Sequence, residues 1–198
     1  AQQRNSGNDN GAGCTFNGVA MTQFYKIHDA HAGNATYWYV HYILGASGSH
    51  DIVCTQNVDT NAMRVIAQSY TGVSQTMTFT GSPTDSVTGD TATTSPSISI
   101  ATTPTTANSW LVSFGLQFTN HNMIAGQNTT LRSTLPSPRD AFFSGGDSNA
   151  AVSASTTQTW INSDVSNADW SMVQFSISPA SGAAAASSVL LQTIFFGF

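Results

Sequence analysis

Apolar and polar residues alternate over short runs along this chain, with turn residues between the runs. Residues 110–118 (WLVSFGLQF) show it best: Trp110, Val112, Phe114, Leu116 and Phe118 share one face of an extended strand. Residues 169–178 (DWSMVQFSIS) place Val173, Phe175 and Ile177 on one face in the same way. Residues 15–24 (TFNGVAMTQF) contain Asn17-Gly18, the strongest short-range hairpin signal. Residues 37–44 (YWYVHYIL) are aromatic and β-branched, which predicts a strand covered on both faces. A turn at 45–49 then makes residues 51–56 (DIVCTQ) its expected hairpin partner. Residues 63–70 (MRVIAQSY) read as a further strand, and 97–101 (SISIA) as a short one inside a Ser/Thr/Pro-rich stretch. Weaker strands are expected at 127–135 and 149–155, on either side of a loop holding Pro136 and Pro138. No segment has a helical period except the alanine run at 183–186. The expected fold is all-β, an antiparallel two-sheet β-sandwich of jelly-roll-like character, with less than about 10% helix.

Composition sharpens this picture. Charged residues are 8% of the 198, with a single Lys (Lys26) and no Glu, against about 25% in typical domains. Strong helix formers are therefore scarce. Five Lys and Arg against ten Asp leave no basic patch for phosphates, so nucleic acid is not an expected partner. A surface of Ser, Thr, Asn and Gln is solvated but weakly repelled by its own copies, which suits dense self-packing. The chain opens at Ala1 and reads as processed or trimmed; its last ten residues are too short to cross a bilayer as a helix.

Two cysteines, Cys14 and Cys54, fit one disulfide in an oxidising, extracellular compartment. Cys14 shares strand parity with Phe16, and Cys54 with Ile52, so both can point inward and bridge strands distant in sequence. Closing a loop of about 40 residues is worth roughly 3–4 kcal/mol on chain-entropy grounds. Asn34 and Asn128 open N-x-Thr tripeptides and are candidate glycosylation sites.

Candidate chemistry is thin. His28, Asp29 and His31 are the one clustered ligand set, and they are expected in a solvated loop between two strands. His41, His50 and His121 lack a spaced nucleophile and orienting acid. Asp164 and Asp169 flank a turn, where capping is the plainer role than Ca²⁺ binding. The expectation is a protein without catalytic residues, metal or cofactor. Trp38, Tyr42, Trp160 and Trp170 could form a sugar-stacking platform, but core or interface positions suit such residues better.

Four segments resemble a family of β-sandwich domains found in tailed-phage structural proteins and in secreted proteins of environmental bacteria. They are residues 15–22 (TFNGVAMT), Tyr37-Trp38-Tyr39 with 48–55 (GSHDIVCT), 65–72 (VIAQSYTG) and 168–177 (ADWSMVQFSI). The resemblance covers about residues 14–180 and implies a structural or adhesive role without a common catalytic set. Two departures stand out. Residues 1–13 are a polar arm where such domains open with apolar strands, so the sandwich would lack a strand. Beyond the family's usual end come a small-residue linker, 181–188, and an apolar strand, 189–198. Val189, Leu190, Leu191, Ile194, Phe195, Phe196 and Phe198 make that strand apolar on both parities, so it must be buried. It can fill a groove in its own chain or in the next copy. The expected function is a self-assembling structural subunit of an extracellular filament or appendage, a homopolymer joined by this strand. The alternative is a virion or tail module that binds receptors or glycans.

Overall fold

The computed structural model describes residues 12–31, 34–56, 63–75, 96–118, 121–136, 142–164, 168, 170–180 and 188–197. They hold fourteen strands and no helix. In chain order these are β1 (Ala12–Phe16), β2 (Val19–Ala20), β3 (Thr22–His31), β4 (Asn34–Leu44), β5 (Ile52–Gln56), β6 (Met63–Thr71) and β7 (Ser97–Thr102). There follow β8 (Trp110–Gln117), β9 (Met123–Ala125), β10 (Thr130–Pro136), β11 (Phe142–Asp147), β12 (Thr156–Asn162), β13 (Trp170–Ile177) and β14 (Ser188–Gly197). Every ladder is antiparallel. The all-β, antiparallel, sandwich-like class expected from the alternation is the class observed. The strands form four sheets, divided by their contacts between two compact units: residues 1–75 with 182–198, and residues 76–181.

In the first unit, a four-stranded sheet of order β3-β4-β14-β6 carries a small sheet of order β2-β1-β5. Asn17 and Gly18 both have positive φ, 51° and 75°, as the two-residue turn between β1 and β2 requires. β1 begins at Ala12, so Ala12 and Gly13 belong to a strand and not to the polar arm; residues 1–11 lie outside the described ones. The expected hairpin of 37–44 with 51–56 does not form. β5 pairs with β1, through Ala12↔Gln56 to Phe16↔Ile52, while β4 pairs with β3 and β14. β4 has both edges taken, by β3 and β14, so it offers β5 no free edge. In the β1–β5 ladder Cys14 and Cys54 are directly opposed, with Cα atoms 4.2 Å apart, and they are bonded, which pins that pairing covalently.

In the second unit, a sheet of order β10-β11-β8-β13 faces one of order β7-β12-β9. Ile98, Ile100, Met123, Trp160, Trp170 and Met172 form the cluster between them. Gly115 of β8 and Gly146 of β11 lie directly against the Trp160 ring, which leaves no room for a Cβ at either position. The alternation of β8 was real but incomplete as a guide. Val112, Phe114 and Leu116 are buried on one face, with Phe114 6.3 Å from Phe143 and 6.2 Å from Phe175. Ser113 and Gln117 on the other face are buried too, because that is the face the opposing sheet covers, with Trp160 and Met123 against Gly115 between them. The stretch 149–155 is no strand; it contributes one isolated bridge, Val152 to Ser109. β9, β11 and β12 were not anticipated. β11 reads FFSGGD, and its two glycines hide it from any propensity argument.

Candidate functional site: the groove of the C-terminal strand

β14 occupies an interior place in its sheet. On one side Val189↔Leu44 through Gly197↔Thr36 join it to β4; on the other, Ser188↔Thr71 through Phe196↔Met63 join it to β6. The single chain thus seats its final apolar strand in its own groove, the first of the two placements the sequence allowed.

Three features of the groove bear on function. First, β6 has no ladder partner other than β14 among the described residues, so β14 is what joins β6 to its sheet. Second, Thr71 and Ser188 are opposed, so β6 and β14 form an antiparallel pair interrupted by the 116 residues between them. Third, the groove is buried where its side chains are described. Trp38, Tyr39, Val40 and His41 of β4 are all 1% exposed or less. Ile66, Gln68 and Tyr70 alternate as the buried face of β6, and the Tyr70 hydroxyl donates to Gln68 Oε1 at 2.8 Å. Leu190 of β14 joins Cys14, Met21 and Tyr39 in one buried cluster, with Phe16, Ile43, Ile52, Cys54 and Val65 packed around it. The disulfide-bonded sheet therefore roofs the entry of β14.

The other candidates are dispersed. Trp38, Trp160 and Trp170 are 0–1% exposed and Tyr42 is half-buried, so these four do not form an exposed sugar platform. His28, Asp29 and His31 lie within β3, not in a loop as expected, because β3 runs on to His31 before turning into β4. Their side chains lie outside the described ones. His41 is buried and stacked against Tyr39, whereas His50 is exposed and edge-on to Phe16 at 5.4 Å. His121 Nε2 lies 2.9 Å from Asp164 Oδ2, which ties the loop before β9 to the loop after β12; Asp169 is outside the described residues. Among the described residues there is no group of three or more His, Cys, Asp or Glu that could hold a metal, and no helix long and apolar enough to cross a membrane. Asn128 is exposed in a left-handed turn, φ 49°, and its Nδ2 donates to the Thr157 carbonyl at 3.0 Å. Asn34 opens β4, and its side chain lies outside the described ones.

A shallow depression lined by Thr15, Asn17, Ser49, His50 and Asp51 lies beside the β1–β2 turn. It has one carboxylate and no buried polar group aimed into it, so it offers little to orient a ligand. Comparison with protein-family models, with curated proteins and with solved structures gives no match in any of the three.

Proposed function

We propose that this chain is a non-catalytic structural subunit of an extracellular filament or appendage, whose copies join by exchanging β14. The observation that carries the reading is the position of β14: last in sequence, interior in its sheet, and gripped on both sides by strands within residues 34–71. Exchange of an identical element between copies is a low-cost route to assembly, because every pairing of the closed chain is remade in the joined one. The segment ahead of β14, Ser181-Gly182 followed by four alanines and Ser187, is a run of small side chains in the sequence. Passed from copy to copy, the strand makes a head-to-tail contact, and such a contact gives an open filament where the rotation does not close. The low charge of the chain and its resemblance to structural β-sandwich domains support the same reading.

The test is removal of residues 188–198. Native or refolded full-length protein should form filaments visible by electron microscopy. The shortened chain should form none, and a synthetic peptide of residues 188–198 should bind it with one site per chain. Filaments of unchanged geometry from the shortened chain would overturn the reading.

A further inference from the structure

We infer that the Cys14–Cys54 disulfide is a latch on the seated β14, closed by oxidation and opened by a dithiol reductant. The inference rests on the reading of β14 as the joint and names its control. The bond sits at the middle of the five register pairs that join β1 to β5. β2 adds two residues to that sheet, so its cohesion depends on one short ladder and this bond. The sheet lies over Leu190: Cys14, 3% exposed, shares the buried cluster of Leu190, Met21 and Tyr39, and Phe16, Ile52 and Cys54 pack against it.

The covalent ring closed by the bond runs from residue 14 to residue 54 and contains the whole of β3 and β4. One wall of the groove is thus inside the ring and roofed by it. The other wall, β6, is outside the ring and held through β14. With the bond intact, β14 cannot leave without exposing Leu190 and the underside of a pinned sheet. With the bond broken, the roof is held by its five-pair ladder and its packing alone, and the strand beneath it can withdraw. Opening transfers two electrons from the dithiol: the S–S bond breaks, Cys14 and Cys54 become thiols, and the reductant leaves as its own disulfide. Oxidation after seating reverses the step and fixes the strand, whether it came from the same chain or from the next copy.

Backbone hydrogen exchange read by mass spectrometry tests this without requiring assembly. Full-length protein is compared oxidised, reduced with dithiothreitol, and as the Cys14→Ala/Cys54→Ala variant. Reduction should speed exchange in β14 and β6 at least tenfold while β8 and β13 keep their protection, and the variant should match the reduced protein. Unchanged protection of β14 on reduction would overturn the latch. So would equal loss of protection in β8, β13 and β14, since the bond would then serve the whole fold and not the strand. If copies labelled differently never trade β14 while reduction still frees it, the joint fails and the latch stands.

Discussion

Leu190→Ala probes the seat of β14 at the residue whose surroundings are best defined. Leu190 is 8% exposed and lies among Cys14, Met21 and Tyr39 under the disulfide-bonded sheet. Truncation removes three carbon groups, about 2.4 kcal/mol at roughly 0.8 kcal/mol each. A cavity penalty adds to this, but Phe16, Ile43 and Val65 around the cluster are partly buried and can move in. The expected loss is therefore about 2.5–3.5 kcal/mol, within the span of buried Leu→Ala substitutions. Urea unfolding followed by near-ultraviolet circular dichroism should show a lower midpoint with the same slope. Leu131→Ala is the control: Leu131 lies on β10 and is 40% exposed, so its truncation should cost under about 1 kcal/mol. In assembled material the same loss would weaken each joint by about 100-fold, at 1.4 kcal/mol per factor of ten. A Leu190→Ala variant no less stable than Leu131→Ala would refute the reasoning, because Leu190 could not then be sealed beneath β1 and β5.

Two further substitutions test the second unit. Gly115→Ala would put a Cβ 2.9 Å from Trp160 Cδ1 and closer still to Met123 Cε; Met123 can yield, the buried indole cannot, and calorimetry should show a loss of about 1–3 kcal/mol. Arg132→Ala removes a guanidinium that donates to Asp147 Oδ2 at 2.7 Å and to Oδ1 at 2.9 Å; the 2%-exposed carboxylate still accepts from the Asn149 backbone N–H. Because the Arg132 side chain is itself 40% exposed, water can partly replace it, and denaturation should show about 1.5–3 kcal/mol lost, not the full cost of an orphaned buried charge.

How far the fold was legible depended on whether a strand's partners were local. β1, β2, β6, β8 and β13 could be read directly, since alternation and the Asn17-Gly18 turn are properties of a few adjacent residues. Pairing was harder. The partner of β5 is 40 residues away through Cys14↔Cys54, and the parity of the two cysteines permitted that pairing without selecting it over the nearby β4. β9 and β11 were missed because three residues in one case and paired glycines in the other carry no strand signature; their neighbours in the sheets make them strands. The burial of Ser113 and Gln117 was invisible for a similar reason: a polar face reads as solvent-facing until a second sheet is known to cover it. The candidate site was legible in one respect that mattered. Residues 189–198 were too apolar to be left exposed, which called for a buried place without naming it. Which strands line that place, and that β6 is held there by β14, follow from long-range register that no local pattern encodes.

Exchange of β14 between copies is the central claim, and cross-linking across its register tests it most directly. Gln192 of β14 is opposed to Ala67 of β6, and Ala67 is exposed. One population would carry Gln192→Cys and the other Ala67→Cys, so that neither chain alone can form the new bond. The two would be co-refolded under conditions that allow assembly, then oxidised gently and separated by size under denaturing, non-reducing conditions. Exchange predicts a covalent species of two chains in which mass spectrometry finds residue 192 bonded to residue 67. If assemblies form and that cross-link is absent, while a single chain carrying both substitutions links internally, each β14 stays in its own chain and the claim is contradicted.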